Sequence, residues 1–376
     1  MREGVPTGGL TESSAATASS RLRSLDIFRG AMIVAMIVVN NPGSPQETFP
    51  FLVHSRWHGW TFADTIFPAF LWIVGLTATL STQARLSSGV GTAELLRHAL
   101  RRAALLFCVG LLLEGFPRYH LANYDVTGVL QKISIAYLIA FVIYLFTARV
   151  GRIAAIATMF VGYIAYMLLS SGDTCATGPW SMECNGARRL DELLLGAHRW
   201  LTPNLNDSDG IIGTIAATPS VLLGMLAEPV LSRAGPLTRN ALWLLKWGAI
   251  LALAGLALAT LIPINKPLWT PSYSLLMAGL SSIAFVACYW LVEIRGISHW
   301  LKPLEIFGVN AIAAYALSRV IGYLLKVHVA GESIYQELLR SIAGAPIASL
   351  LFALLNVAVV YAIVAWMYRR RIFVKL

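Results

Sequence analysis

Two histidines and a carboxylate stand out between residues 51 and 75, where an apolar loop leads directly into a long apolar segment. His54 and His58 lie in the loop beside Trp57, and Asp64 follows in the first turn of the segment. An imidazole exchanges protons near neutral pH, and a nearby carboxylate can orient it. The pattern indicates an acid–base site, although an interfacial aromatic belt with solvated histidines explains the composition equally well. No Cys, Glu or third His is placed in sequence to complete a ligand set, so we predict no metal site.

Further polar residues interrupt the apolar runs, where each costs a few kcal/mol unless it is paired or faces a cavity. Asp26 and Arg29 are three residues apart on one helix face, so they can form an ion pair. Asn40 closes the first apolar run, within the turn formed by residues 40–43. Helix capping alone also explains such a turn.

The composition indicates that these residues are positioned by helices in a membrane. Of the 376 residues, 57% are hydrophobic and only 13% are charged, whereas soluble domains carry about 25% charged residues. At ~20 residues per span, the chain is predicted to be an all-α polytopic membrane protein of about ten transmembrane helices, in one domain over residues 21–376. The apolar runs lie near residues 24–41, 61–82, 101–117, 128–148, 151–170, 211–230, 240–262, 272–292, 304–325 and 346–367.

The distribution of Lys and Arg predicts how the helices are oriented. Every connection on the N-terminal side contains basic residues, whereas the opposite side holds the mixed or acidic segments, such as 171–210. The positive-inside rule then places both termini in the cytoplasm and the loops 42–60 and 171–210 outside. The net charge of +10 is accordingly attributed to topology and not to nucleic acid binding. Residues 1–20 are expected to be disordered, and Cys175 and Cys184 can form a disulfide in the outer loop.

A series of short motifs, none specific by itself, occurs in a fixed order along the chain. Together they resemble the heparan-α-glucosaminide N-acetyltransferase family and its bacterial homologues in the transmembrane acyltransferase superfamily, from about Arg21 to the C-terminus. The motifs are SLDIFRG (24–30), VVNNPG (38–43), H-x-x-W-x-G-x-T-x-A-D-x-x-F-P (54–68), TGVLQKI (127–133), DGIIGT (209–214), LLGMLA (222–227), INKPLWTPSY (264–273) and FGVNAI (307–312).

The resemblance implies an enzyme that takes acetyl-CoA from the cytosol and transfers its acetyl group to a glucosamine amine on the other side of the membrane. The family's catalytic histidine matches His54, and the asparagine that closes the first span matches Asn40, whose amide could stabilise an oxyanion. His54 would either remove the amine proton or carry the acetyl group covalently. The sequence leaves both routes open. His58 stands where the family usually has Asn, which puts the acceptor-side contacts in doubt.

Other residues are assigned to the same two substrates. Asp64 is expected to orient His54, although a carboxylate that interacts with the helix dipole is an equally good explanation. The expected acceptor contacts are Trp57, His58, Asn265 and Trp269, of which Trp269 would stack on a sugar or lie in an aromatic belt. The expected contacts to acetyl-CoA within the membrane are Asp26, Arg29, Gln131, Lys132 and Asn310. Structural pairing, as an ion pair for Asp26 and Arg29 or as interhelical hydrogen bonds for the others, explains these polar residues equally well.

The CoA nucleotide is a polyanion that should remain on the cytoplasmic side, where the inner segments are basic. Candidates for its contacts are Arg97, Arg101 and Arg102 or the cluster 369–371. Topology alone explains why every inner segment is basic. We therefore name no single arginine as a contact of the nucleotide.

The function favoured by the sequence is therefore transmembrane N-acetyl transfer to an amino sugar. The alternatives are a secondary transporter or exporter of a sugar or lipid intermediate and a polysaccharide O-acyltransferase. Transporters commonly show two related halves, and we find no such duplication. The sequence does not distinguish between heparan sulfate and a cell-wall or chitin-derived amino sugar as the acceptor. We expect an integral protein of a bacterial inner membrane, with a homodimer as the oligomeric state that the resemblance favours.

Overall fold

The computed structural model describes residues 22–117, 119, 124–170, 177–183, 185–198, 210–231, 236–326 and 340–374. Within these ranges the regular structure is helical, and the only extended pairing is an isolated antiparallel bridge between His58 and Asn265. The all-α prediction is confirmed. The predicted disordered segment 1–20, the predicted Cys175–Cys184 disulfide and much of the loop 171–210 lie outside the described residues.

Helical segments occupy all ten of the predicted apolar runs. Seven of them are long and apolar enough to cross a membrane, and the bent pair of α11 and α12 makes an eighth. The helices are α1 Arg23–Asn40, α2 Phe62–Ser87, α3 Thr92–Gly115, α4 Val129–Phe146, α5 Arg149–Ser170, α6 Gly186–Leu195, α7 Ile211–Ala216, α8 Thr218–Leu231, α9 Leu237–Leu258, α10 Pro271–Tyr289, α11 Lys302–Val309, α12 Ala311–Lys326, α13 Arg340–Ile342 and α14 Ala345–Arg369, with a 3-10 turn at Pro50–Leu52 and a π turn at Trp290–Ile294.

Two helix boundaries differ from the sequence prediction in a way that matters for the site. Helix α2 continues to Ser87 and α3 begins at Thr92, well before the predicted start near residue 101. The residues added to α3 are mainly Leu, Ala and other side chains that favour helix, so the helix extends past the apolar run. As a result, Arg85 and Arg102 are on rigid helices rather than in a connecting loop.

Glycines allow the helices around the site to approach with their backbones in contact. A Cβ atom at Gly30 of α1 would overlap the carbonyl oxygen of Leu304 in α11, and one at Gly308 would overlap the carbonyl oxygen of Asp26. Small residues promote such close packing between membrane helices, where lipid supplies no competing hydrophobic force. The two glycines therefore lock α1 against α11.

The predicted span 304–325 is not one straight helix. Helices α11 and α12 meet at an angle of 90° at Asn310. The Asn310 amide donates from Nδ2 to the carbonyl of Ile372 (3.2 Å), and its Oδ1 accepts from the backbone N–H of Val374 (3.1 Å). Hydrogen bonds of this kind compensate for the backbone groups that a break releases. Asn310 thus joins the bend to the chain segment after α14.

The connections collect at two ends of the bundle. At one end, the Trp57 indole donates to the carbonyl of Trp180 (2.8 Å), which brings the loop 42–60 against the segment 177–183. At the other end, Arg23 forms an ion pair with Glu305 of α11 (2.6 Å), and Lys302 of α11 donates to the Tyr368 hydroxyl near the basic end of α14 (2.8 Å). This separation agrees with the sidedness expected from the charges. We call the first end the His54 end and the second the basic end.

Cysteine labelling tests the predicted orientation of these two ends. In a background with Cys175 and Cys184 replaced by Ser, a membrane-impermeant maleimide applied from outside should label Glu183→Cys at the His54 end but not Ser88→Cys at the basic end. Both positions are exposed, so accessibility of the side chain does not bias the comparison. Labelling of Ser88→Cys alone would contradict the orientation.

Candidate active site

A cavity of about 190 Å³ opens at the His54 end between α1, α2 and α4. Its wall is mostly apolar, with three polar side chains that could act on a bound group: Asn40, His54 and Lys266. A few polar groups in an apolar concavity are typical of a small-molecule site. The other lining residues are Met36, Val39, Ala63, Ile66, Phe67, Val129 and Trp269.

Asp64 is the organising residue beneath this cavity. Its side chain has no exposure to solvent, so each of its oxygens needs donors from the protein. Oδ2 accepts from the backbone N–H groups of Ser55 and Thr61, both at 3.0 Å, and from the Thr61 hydroxyl at 3.2 Å. Thr61 is the N-cap of α2, so these contacts include a capping box at the start of the helix.

The second oxygen of Asp64 holds the two titratable side chains of the cavity wall. Asp64 Oδ1 lies 2.8 Å from His54 Nδ1 and 3.2 Å from Lys266 Nζ. Lys266 Nζ is also 3.0 Å from His54 Nδ1 and 3.4 Å from His54 Nε2. An ionised carboxylate only accepts hydrogen bonds, so the 2.8 Å contact requires a proton on Nδ1. The neutral imidazole then has its lone pair on Nε2, the nitrogen that a base or nucleophile needs.

The loop that carries His54 is fastened to the turn that carries Lys266. Gly59 donates its N–H to the carbonyl of Ile264 (2.8 Å), and the Asn265 amide donates to the carbonyl of Trp57 (3.1 Å). Gly59 has φ of +92°, a conformation that side chains other than glycine disfavour. The Tyr273 hydroxyl donates to the backbone carbonyl of Asp64 (2.7 Å), which adds α10 to the same assembly.

The residues assigned to the acceptor occupy different environments. Trp57 is partly buried and donates to the carbonyl of Trp180, so its indole supports the loop. His58 is in the same loop, 3.4 Å from the amide of Asn265, and desolvation lowers its pKa below the usual range. Unlike His54, it has no carboxylate partner within the described residues and does not line the cavity.

Asn265 and Trp269 are buried, in contrast to the surface positions expected of an outer turn. Asn265 Oδ1 accepts from the backbone N–H of Leu268 (2.8 Å), so both ends of its amide are used to shape the turn. The Trp269 indole donates to Ser220 Oγ (3.1 Å) and packs edge-on against Phe67. Trp269 is therefore part of the cavity wall and not of an interfacial belt.

Asn40 is the last residue of α1 and lines the same cavity as His54. Its neighbour Asn41 is buried and caps the helix by donating to the carbonyl of Ile37 (3.0 Å). Capping is thus performed by Asn41, and the Asn40 amide has no hydrogen bond to any described residue. The amide of Asn40 is therefore available to bind a ligand.

A second cavity, of about 460 Å³, lies between this site and the basic end. The two cavities share the side chains of Met36, Phe67 and Val129 and are therefore adjacent. Along α2 their lining residues run from Ala63 to Arg85, about 33 Å at the helical rise of ~1.5 Å per residue. This length is close to the ~30 Å thickness of a hydrocarbon core.

The far end of the second cavity carries positive charge. Its wall contains Arg29, Arg85, His98 and Arg102, and no Asp or Glu among the described residues lines it. Arg102 lies with its guanidinium 4.9 Å from the centre of the Tyr137 ring. Such a mouth suits a ligand with several negative charges. Between the two ends the wall is largely apolar.

Of the five residues expected to contact acetyl-CoA inside the membrane, Arg29 alone lines the long cavity. Asp26 pairs with Arg29 at 3.2 Å, and the Gln131 amide is 3.4 Å from the carbonyl of Thr127. Lys132 is buried with its ammonium 4.0 Å from the centre of the Trp269 ring. Asn310 serves the bend described above. These four side chains are behind the wall, where they support it.

Sequence reasoning missed the contact of Lys266 with His54 and the lining positions of Arg85 and His98. Lys266 is within the INKPLWTPSY motif, and a charged residue in an otherwise apolar outer turn is a signal that could have identified it. Arg85 and His98 resembled ordinary basic residues of the inner connections. Among the described residues, no group of three or more His, Cys, Asp or Glu side chains could hold a metal ion.

The chain is thus a bundle of apolar helices with a polar cavity at one end and an adjacent cavity that reaches toward the basic end. Residues 21–181 match the family described as heparan-alpha-glucosaminide N-acetyltransferase, catalytic. The chain is 28% identical to the heparan-alpha-glucosaminide N-acetyltransferase of Mus musculus, over 81% of this chain and 54% of the mouse protein. It is 28% identical to that of Homo sapiens, over 78% of this chain and 52% of the human protein.

The chain spans about half the length of the curated relatives it matches. The resemblance predicted from the motifs is confirmed, and the proteins that the chain resembles are described as N-acetyltransferases. The family match covers Asn40, His54 and Asp64, whereas Lys266 and Trp269 lie beyond its last residue. Together with the apolar helices, these similarities support an integral membrane protein.

The burial of Asp64 predicts a large cost of removing it. Asp64→Ala would leave the donors of Ser55, Thr61 and Lys266 without their acceptor, and breaking a buried pair costs roughly 3–5 kcal/mol. The variant should therefore unfold several degrees below the parent in a thermal scan of detergent-solubilised protein.

Glu192→Ala is the matched control, because Glu192 is also a carboxylate in an ion pair, with Arg188, but is 42% exposed. Exposed pairs contribute about 0–1 kcal/mol, so its unfolding midpoint should stay close to that of the parent. Equal midpoints for the two variants would contradict the structural role given to Asp64.

Proposed function

We propose that this protein transfers the acetyl group of cytosolic acetyl-CoA to the amine of a glucosamine-type sugar on the opposite side of the membrane. The observation that carries the proposal is the His54 imidazole, 2.8 Å from a buried carboxylate on the wall of a cavity that adjoins a long passage to a basic mouth. The names of the curated relatives, heparan-alpha-glucosaminide N-acetyltransferases, support the choice of donor and acceptor.

The two cavities suit a donor that is charged at one end and reactive at the other. The nucleotide of acetyl-CoA would remain among Arg29, Arg85 and Arg102, because transferring its phosphates into the bundle would cost far more than leaving them at the mouth. The thin pantetheine arm would occupy the apolar stretch. The thioester would then reach the smaller cavity beside His54, so that only the acetyl group crosses the membrane.

The transfer step follows from the state of His54. The sugar amine attacks the thioester carbonyl carbon, and a C–N bond forms while the carbonyl oxygen becomes an oxyanion. His54 Nε2 accepts the proton that the amine nitrogen loses, a contribution of about 10²–10⁴ in rate. The C–S bond then breaks, and the CoA thiolate takes the proton from the imidazolium. A covalent route, in which Nε2 first carries the acetyl group, would use the same nitrogen.

Asn40 is the donor best placed for the oxyanion. Its amide lines the cavity with His54 and is not used by the helix cap, which Asn41 provides. A preorganised amide that faces a developing negative charge typically contributes 10²–10³ in turnover. In one transition state, His54 would thus accept the proton of the amine, which is becoming positively charged, while Asn40 would stabilise the negatively charged carbonyl oxygen.

The acceptor would approach from outside, where the loop 42–60 borders the site. His58 on the surface of this loop replaces the amide common in the family but does not line the cavity, and we require of the acceptor only that it is a sugar with a glucosamine-type amine. Cell-wall and chitin-derived amino sugars fit this description. We place the protein in a bacterial inner membrane, and a homodimer stays a prediction.

A thiol-release assay separates this function from the alternatives. Purified protein should release CoA thiol from acetyl-CoA in the presence of glucosamine, and the product should be N-acetylated. Release with a hydroxyl acceptor alone would favour O-acyl transfer. Absence of release together with glucosamine uptake into proteoliposomes would favour a transporter.

The two histidines of the loop give a controlled test of the chemistry. His54→Ala should lower kcat/KM by at least about 10² while CoA still binds, because a half-exposed loop side chain contributes little to packing. His58→Asn should retain most of the activity, since His58 neither lines the cavity nor contacts Asp64. Equal losses in both variants would contradict the assignment of the base to His54.

Two neighbouring arginines of α3 test the nucleotide mouth. Arg102→Ala should weaken CoA binding about tenfold or more, as expected for loss of a charge-assisted contact to phosphate. Arg101→Ala should change it less than about twofold, because Arg101 is exposed and does not line the cavity. Calorimetric titration of CoA into both variants makes the comparison. Equal effects would place the nucleotide elsewhere.

A further inference from the structure

The Lys266 ammonium is in an unusual position for a residue outside the proposed proton transfer. It is 13% exposed and is in contact with both ring nitrogens of His54 as well as with Asp64 Oδ1. It also lines the cavity. An ion pair with Asp64 alone would not require the ammonium of Lys266 to contact the ring nitrogens of His54 as well. The arrangement places one negative charge between two groups that can each carry a positive charge.

The chemical consequence depends on the charge of His54. If the imidazole were protonated, its positive charge would lie about 3 Å from a second cation, and like charges at that distance disfavour the charged form. A neutral imidazole with its proton on Nδ1 avoids the repulsion and still donates to Asp64. The carboxylate by itself would have the opposite effect, because a nearby negative charge favours imidazolium.

Building on the proposed function, we propose that Lys266 is a positioning residue that keeps His54 neutral, with its lone pair on Nε2, by sharing the charge of Asp64. Without Lys266, the carboxylate alone would face the imidazole, and its negative charge would favour a proton on Nε2. The base would then be occupied before the amine arrives. With Lys266 present, a second cation in contact with the ring opposes that proton.

The other groups around His54 do not supply this effect. On α1 the uncharged Asn40 lines the same cavity as His54, and on α10 the Tyr273 hydroxyl donates to the backbone carbonyl of Asp64. Lys132 of α4 lies against the ring of Trp269, which itself lines the cavity. Within the loop, His58 contacts Asn265. Among the residues that the structure describes, Lys266 is thus the cation in direct contact with the imidazole.

The test is the protonation of His54 itself. Diethyl pyrocarbonate modifies neutral imidazole, so its rate at His54, followed by peptide mass spectrometry across pH, reports the midpoint of protonation without turnover. Lys266→Met should raise this midpoint by about one pH unit, because a like charge is removed and the carboxylate remains. The acidic limb of kcat/KM should move upward by the same amount. Lys266→Arg should retain the parental midpoint.

Arg56→Met is the matched control, since Arg56 is an exposed cation two residues from His54 in the same loop. Its midpoint should stay within about 0.3 unit of the parent, because exposed charges are screened. Lys266→Gln repeats the test in case the Met variant does not fold. Midpoints of both neutral Lys266 variants equal to the parent, or equal shifts for Lys266→Met and Arg56→Met, would overturn the role of Lys266.

The two proposals can fail separately. If the parent protein releases no thiol from acetyl-CoA, the proposed function fails, whereas the chemical modification still measures the effect of Lys266 on His54. If the parent protein is active but the acidic limb does not move in Lys266→Met, the function stands and the positioning role falls.

Discussion

A carboxylate with no access to water dictates the local architecture at the His54 end. Asp64 has about four lone-pair positions to satisfy, and its donors come from three separate parts of the chain: the loop before α2, the N-cap of α2 and the turn before α10. Any displacement of these parts would leave a buried charge without a partner. The site is therefore held together by the same interactions that stabilise the start of α2.

Charged side chains lie at the two ends of α2, and apolar side chains occupy most of its middle. Its first turn holds Asp64, its middle contributes Phe67, Phe70 and Val74 to the cavity walls, and its last turns carry Arg85. The charged groups of α2 are thus confined to its two ends, where water is near and the cost of exposing charge is small. A passage built in this way offers an apolar lining to an uncharged chain and a charged terminus to an anion.

Much of this arrangement follows from the sequence, but the contacts between distant segments do not. The length and composition of the apolar runs suffice to predict the helices, and the resemblance suffices to choose His54 and Asn40 as candidate site residues. The pairing of Lys266 with His54 joins residues far apart in the chain, and no local pattern records which turns meet in space. Trp269 was expected at the surface because aromatic residues flanking spans commonly lie there, yet the packing of α8 against α2 and α10 encloses it. The 90° break at Asn310 likewise depends on a partner segment that follows α14.

The reciprocal glycine contact between α1 and α11 has a mechanical consequence. Because backbone meets backbone at Gly30 and Gly308, no side chain separates the two helices at these positions, and the close contact resists sliding or separation. Arg29 and Val309, which line one side of the basic mouth, are therefore held on two rigidly packed helices. The opposite side belongs to α3, which packs mainly against α4 alone. A change in the width of this mouth would therefore require a movement of α3 and not of α1 relative to α11.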